Sequence, residues 1–320
     1  MNEFSWIARY FAPLAAGIEG SLQLLDDAAL LDVPAGKQLI ITKDAMAAGV
    51  HFLGTESPDM LARKLLRVNL SDLAAKGATP HGYLLALMLP EGTAKSFVAA
   101  FAQGLAHDQA SYGTHLLGGD TISTKGPLAF SLTALGHVPQ GQALLRSGAK
   151  SGDDIYVSGW LGDSALGLAS VQGKLPVLDA NHKAYLQERY FLPQPRVALG
   201  QKLIGLASAS MDISDGLLQD LGHICKASQV GAKIQRHLLP LSAAARVHGE
   251  AAYDAALAGG DDYELLFTAS AAHETELAEL AQALALPLTK VGSITAGEGV
   301  ALLDKNFRKT PFESKGFQHF

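Results

Sequence analysis

Residues 68–78 read Val68-Asn69-Leu70-Ser71-Asp72-Leu73-Ala74-Ala75-Lys76-Gly77-Ala78. With Leu61, Leu65 and Leu66 upstream, the apolar positions recur at helical spacing. The stretch is therefore predicted to be the second half of a helix that ends at Gly77. Asn69, Asp72 and Lys76 project from one side, because residues three and four apart are neighbours on a helix. Alone, this is an exposed Asp72–Lys76 pair. A second copy changes the reading. Met211-Asp212-Ile213-Ser214-Asp215-Gly216 repeats the Ser-Asp pair, and each copy is followed by Gly-Gly-Asp. Asp120 lies 48 residues after Asp72, and Asp261 lies 46 after Asp215. Motifs in the same order at near-equal spacing predict two related halves whose acidic loops meet at one cleft.

Outward from that stretch, strands and helices alternate. The N-terminus reads as an amphipathic helix carrying Glu3 and Arg9, not as a signal peptide. Asp26 and Asp27 interrupt the apolar run Leu24–Leu31, where adjacent charges in a strand would be costly without a cation or donor. Gln38–Thr42 is a β-rich run ending at Lys43-Asp44. Ser57-Pro58-Asp59 opens the helix that carries Asp72. Strands are expected at 82–89 and 128–138, with a helix over 93–112 between them. A short strand at 114–117 is expected to deliver Gly118-Gly119-Asp120-Thr121 as a loop. In the second half, strands are expected at 154–159, 208–211, 265–268, 291–294 and 300–303. Helices are expected from Gly162, over 217–227 and over 273–284, with another beginning at Pro193 after a linker. The pattern predicts a layered α/β or α+β fold in two domains, 1–145 and 146–320.

Composition narrows the function. Hydrophobic residues make up 48 % and charged residues 18 % of 320, enough for real cores. The net charge of −6 and the lack of a basic run argue against nucleic acid, and no apolar stretch reads as a membrane span. A cytoplasmic protein is the expectation. The single cysteine, Cys225, excludes an internal disulfide and a cysteine zinc site, and it reads as a buried thiol. There is neither a Gly-x-x-x-x-Gly-Lys-Ser/Thr loop nor a Gly-x-Gly-x-x-Gly after a strand. What remains is carboxylate. Asp26, Asp27, Asp44, Asp72, Asp120, Asp212, Asp215, Asp261, Asp262 and Glu264 sit mostly beside glycine, serine or threonine at the ends of apolar runs. These are hard oxygen donors that suit Mg²⁺. So many carboxylates share a cleft only if cations neutralise them, and several Mg²⁺ with a polyphosphate would do so. His51 is a candidate phosphate donor, and Arg146 a candidate phosphate fork.

At these residues the sequence resembles the thiamine-monophosphate kinase family, a relative of aminoimidazole ribonucleotide synthetase. The likeness runs through Asp26-Asp27-Ala28, Asp44 with Gly49-Val50-His51-Phe52, Asn69-Leu70-Ser71-Asp72, Gly118-Gly119-Asp120-Thr121, Arg146-Ser147-Gly148, Asp212–Gly216 and Gly260-Asp261-Asp262-Tyr263-Glu264. The resemblance implies an N-terminal domain whose sheet forms a β-barrel with a second copy, making a homodimer, and a C-terminal α/β domain. It implies ATP-dependent phosphorylation of thiamine phosphate to thiamine diphosphate. It also implies metal positions at Asp27, Thr42, Lys43, Asp44, Asp72, Asp120, Asp212 and Asp215. ATP would meet Gly119, Asp120, Thr121, Arg146 and Ser214, and thiamine phosphate would meet His51, Glu264 and Phe317. Asp72, Asp120 and Arg146 would carry the chemistry. Two departures stand out: Leu24-Leu25 replaces the family's usual glycine before the paired aspartates, and Lys43 stands where Thr or Ser is usual. A sister synthetase is the nearest alternative, and a non-catalytic thiamine-phosphate or nucleotide sensor the alternative of a different class.

Overall fold

A computed structural model describes residues 3–176 and 179–312. The chain divides into two compact units, Met1–Leu73 with Ala78–Gly141, and Ala74–Gly77 with Gln142–Phe320.

The first unit is built on a four-stranded sheet of β1 (Lys37–Ala47), β2 (Thr79–Pro90), β3 (His115–Thr124) and β4 (Ala129–Pro139), ordered β1-β4-β2-β3. β2 and β3 are parallel and joined by the Lys95–Tyr112 helix, while β4 runs antiparallel to both β1 and β2. Parallel neighbours need such a crossover, and a helix supplies it. Burial alternates strictly along β4, so one face of the sheet is a core and the other is not. On the core face Phe130 meets Phe101 of the crossover helix at 5.7 Å from Phe52 and 4.9 Å from Phe101 itself, ring centre to ring centre. Tyr83 hydroxyl donates to Gln109 at 2.8 Å. The Pro58–Ala75 helix crosses the crossover helix where Gly104 stands, since a Cβ there would come within 2.4 Å of the Asp59 carbonyl oxygen. The N-terminal helical run, Glu3–Trp6, Ile7–Phe11 and Ala12–Ala15, is tied down by Gln109, whose amide donates to the Leu14 carbonyl at 2.8 Å.

The second unit holds a six-stranded sheet of β5 (Asp154–Ser158), β6 (Ala207–Asp212), β7 (Gly231–Gln235), β8 (Leu265–Ala269), β9 (Leu288–Thr295) and β10 (Gly299–Leu303), ordered β10-β7-β9-β5-β8-β6. β7 and β10 are parallel, and the other pairs are antiparallel. Both faces are covered. Ile155, Val157 and Leu266 join one core with Leu217, Leu221 and Ile224 of the Leu217–Ser228 helix. Tyr156 and Phe267 join the other, stacked at 5.4 Å. Burial on both sides is why β5 and β8 read as continuous apolar runs instead of alternating ones. Cys225 is buried, as expected.

The mixed α/β fold and its element order match the sequence expectation, with four corrections. Leu24–Leu31 is not a strand. The chain makes a short helical turn over Glu19–Leu24 and then bends, leaving Asp26 and Asp27 in water, where their charges carry no desolvation cost. The expected linker before Pro193 contains the helix Ala180–Phe191, capped by Asp179, which accepts from His182 N–H at 2.9 Å. The helix after it begins at Val197 and not at Pro193, because a residue before proline is biased away from helical dihedrals. Gly118-Gly119-Asp120-Thr121 lies inside β3 and is not a loop. Gly119 is glycine because β2 passes so close that a Cβ would sit 1.9 Å from the Leu85 carbonyl oxygen. Gly259-Gly260-Asp261 does lie in a loop, so the two motif copies occupy different settings.

Candidate active site

In the first unit, alternation along β1 turns Thr42 and Asp44 towards the Pro58–Ala75 helix. The helix answers with Asn69 and Asp72, three positions apart and so on one side. Thr42 hydroxyl donates to the Asp72 carboxylate. Asn69, fully buried, accepts from Asp44 N–H at 3.1 Å and donates to the Leu65 carbonyl at 2.9 Å. Burial, and then the charge of Asp72, push the Asp44 carboxyl up to about 6. Lys43 points the other way by the same alternation. Its side chain leaves on the opposite face, where its ammonium donates to Ser131 at 2.7 Å, so it is not part of this cluster.

His51 follows β1. Its Nδ1 accepts from Ala47 N–H at 3.2 Å, which places the proton of the neutral ring on Nε2. Asp27, Gly119, Asp120 and Thr121 line a second place in this unit, a cavity of about 510 Å³ that also includes Phe11 and Leu85. Asp120 accepts from Thr121 N–H at 2.8 Å. β1 and β3 are opposite edges of the sheet, so these residues and the Thr42–Asp44–Asp72 cluster are separate groups within one copy.

In the second unit, Asp212 ends β6, and Ser214 and Asp215 follow on the turn into the Leu217–Ser228 helix. Three backbone bonds splice this turn to the loop before β8: Ile213 N–H to Glu264 at 2.9 Å, Tyr263 N–H to Ile213 at 2.8 Å, and Asp261 N–H to Ser214 at 2.9 Å. The turn's own amides bond to Asp220, which the sequence reading passed over. Burial, and to a lesser degree the charge of Asp215, push the Asp220 carboxyl up to about 7, against the pull of those amides. The signal was present: Asp220 is a charge on the apolar stripe of Leu217, Leu221 and Ile224. Arg146 is exposed on a segment beside β6. Ser228 hydroxyl ties that segment, donating to the Arg146 carbonyl at 3.2 Å and accepting from Gly148 and Ala149 N–H at 3.1 Å each.

The paired acids after Gly260 divide their work. Asp262 turns inward and accepts from Gly162 N–H at 2.7 Å, at the start of the Asp163–Val171 helix. Glu264 is fully buried. It accepts from Arg189 at 2.9 Å, from Arg196 Nε at 2.6 Å and from Ser158 hydroxyl at 2.6 Å. Both its oxygens are engaged, so in this structure it anchors two arginines that sequence reasoning missed. Phe317 lies outside the described residues. Among the described residues no three His, Cys, Asp or Glu side chains converge closely enough to hold a metal ion by themselves.

Residues 25–138 match the model of the AIR synthase related protein N-terminal domain, and residues 150–305 match that of the C-terminal domain. The chain is 45 % identical to the thiamine-monophosphate kinase of Escherichia coli (strain K12), over 100 % of this chain and 98 % of that protein. It is 44 % identical to the enzyme of that name from Caulobacter vibrioides, over 97 % and 89 %. The crystal structure of thiamine-monophosphate kinase from Stenotrophomonas maltophilia K279a superposes with a TM-score of 0.82 at 45 % identity, covering 87 % of this chain and 89 % of that one. A solved complex described as "AaThiL complexed with AMPPCP and TMP" superposes at 0.80 and 32 % identity, covering 92 % and 91 %. The hydrogenase maturation protein HypE of E. coli, at 20 % identity and 0.80, shares the fold.

Proposed function

Because this chain belongs to the thiamine-monophosphate kinase family, among the AIR synthase-related proteins, we propose a residue-level account of how it moves the γ-phosphoryl group of ATP to thiamine phosphate, giving thiamine diphosphate and ADP. The observation that carries the account is the Thr42–Asp44–Asp72 cluster. Two carboxylates are held on facing elements, and Asp44 resists ionisation chiefly because it is buried and then because Asp72 is beside it. A cation relieves that conflict. The donors are all oxygens, which fits Mg²⁺, an ion that takes one or two carboxylates and keeps its other positions for water and phosphate. Bound there, Mg²⁺ supplies charge neutralisation for phosphoryl transfer.

The remaining roles belong to the chain. Asp44 and Asp72 hold the ion, with Thr42 fixing the Asp72 carboxylate. Asp27 and Asp120, and Asp212 and Asp215, hold further ions. Gly119, Thr121, Arg146 and Ser214 bind ATP, Arg146 as a cation for its phosphates. His51 donates from Nε2 to the phosphate of thiamine phosphate. Glu264 serves the same substrate through Arg189 and Arg196, and Phe317 stacks on it. The acceptor phosphate has a second pKa of about 6 and is mostly a dianion at neutral pH, so no general base is required. The protein's task is to hold two mutually repelling anions in line. In Asp72→Asn, ADP release with thiamine phosphate is expected to fall by a factor on the order of 10²–10³ while the melting temperature holds. Near-normal turnover in the folded variant would remove Asp72 from the site.

The account includes a homodimer in the cytoplasm. The open face of the four-stranded sheet carries Ile41, Leu84 and Ile122, which are 61 %, 42 % and 48 % exposed, apolar side chains that a second sheet would cover. Asp44 and Asp120 lie on the two edge strands, about 14 Å apart at three strand spacings, too far to share one ion. Closing two sheets into a barrel sets β1 of one copy beside β3 of the other, which completes each site from two copies. No helix among the described residues is long and apolar enough to cross a membrane.

A further inference from the structure

We propose that Asp220 is a positioning residue for this reaction, an internal anchor that holds the Asp212–Gly216 turn in its working shape before any ion arrives. The inference rests on the reading that Asp212 and Asp215 serve the metal.

Asp220 is 1 % exposed and sits in the first turn of the Leu217–Ser228 helix. One of its oxygens, Oδ2, accepts from three successive backbone amides: Ser214 at 3.1 Å, Asp215 at 3.1 Å and Gly216 at 3.2 Å. An ordinary capping side chain satisfies one orphan amide at a helix start. Here Gly216 holds the capping position and has no side chain to offer, so the work passes to a residue four positions on. Converging amides ahead of a helix are a ready receptor for an outside anion. In this turn the receptor is filled from within.

Other contacts constrain the turn beside the Asp220 anchor. Gly216 stands at φ 118°, and a Cβ there would meet the Ala258 backbone at 2.8 Å. On its other side the turn is spliced to the loop before β8, in which Asp261 and Tyr263 hold φ of 67° and 51°. A tyrosine rarely adopts that conformation unless its surroundings impose it. Asp215 is steadied separately, its carboxylate accepting from Gln219 at 3.1 Å. Asp220 Oδ2 is thus given over to the backbone of the turn that carries Asp212 and Asp215.

The test uses Asp220→Ala, Asp220→Asn and, as a control, Asp212→Asn in the full chain. Three quantities are read: the Mg²⁺ concentration that half-saturates ADP release, the melting temperature, and the hydrogen exchange of the Ser214, Asp215 and Gly216 amides without metal. Asp220→Ala is expected to raise the Mg²⁺ requirement about tenfold or more, the usual effect of losing a group that orients a ligand. It should also release the three amides to rapid exchange. Asp220→Asn keeps an oxygen in the same place and is expected to remain within about threefold of wild type. A folded Asp220→Ala protein with a lower melting temperature but an unchanged Mg²⁺ requirement would overturn the proposal. If that variant does not fold, the metal-free wild type decides: slow exchange of the three amides supports the anchor, and fast exchange overturns it. If Asp212→Asn leaves the Mg²⁺ requirement unchanged while the amides exchange slowly, the metal reading of the turn fails and the anchor stands.

Discussion

Asp44 carries a charge that its surroundings resist. Its carboxyl is raised from 3.8 to about 6, chiefly by burial and then by Asp72. Between those values the folded chain keeps a proton that the unfolded chain has lost. Stability from this group therefore falls as pH rises through that window, by up to about 3 kcal/mol above pH 6. Asp44→Asn removes the penalty. The metal-free variant is expected to melt above the wild type at pH 7.5 and level with it at pH 4, and equal melting at both pH values would contradict the assignment. The same substitution should weaken Mg²⁺ binding. Asp44, Asp72 and Thr42 were legible because each lies on a strand or helix whose period shows in the local pattern. The Lys43 side chain points away from Asp44 and Asp72 by the same alternation that makes Thr42 and Asp44 partners. Glu264 was not legible in its present role, since its partners Arg189 and Ser158 lie 75 and 106 residues away and no local pattern reports them.

Among elements, the helix bearing Asp72 is fixed by an ion pair that the sequence did not advertise. Asp108, on the Lys95–Tyr112 helix and fully buried, accepts from Arg67 at 2.6 and 3.0 Å and from Arg63 at 3.2 Å. Arg67 also lies over the Tyr112 ring at 5.8 Å. Removing the carboxylate would leave a buried guanidinium uncompensated, at a cost of about 3–5 kcal/mol. Asp108→Ala is expected to lower the melting temperature by roughly 10 °C. Adding Arg67→Met should return much of that loss, and a scan of the single and double variants checks both statements. Elsewhere, element type was readable wherever hydrophobic period and end signals agreed, as at Ser57-Pro58-Asp59. It failed where glycine was taken as a turn signal. Gly119 is demanded by the close passage of a neighbouring strand, a long-range cause with the same local signature as a loop.

At the scale of the whole molecule, the proposed dimer makes a prediction that neither copy can meet alone. Asp72 belongs to the helix facing β1 and Asp120 to β3, so each composite site draws the two from different copies. Asp72→Asn and Asp120→Asn proteins should each be inactive. Unfolded and refolded together, they should recover about a quarter of wild-type turnover, since half of the dimers are mixed and each mixed dimer has one intact site. No recovery, in a mixture shown by sedimentation to contain dimers, would place each site within one copy. Ile122→Asp should shift the sedimenting species towards monomer and reduce turnover with it.

The pairing of β1 has a further consequence, in time. β1 is an edge strand whose neighbour is β4, with Lys37 opposite Pro139, 102 residues later in the chain. At ordinary translation speeds β1 waits roughly 5–20 s for its partner to be made. For that interval a strand containing Leu39, Ile40 and Ile41 has no neighbour to cover its backbone. Half of the proposed metal site is thus synthesised early and shaped late. Substitutions that slow the closing of β1 onto β4 should therefore lower soluble yield in the cell more than they lower the stability of the finished protein.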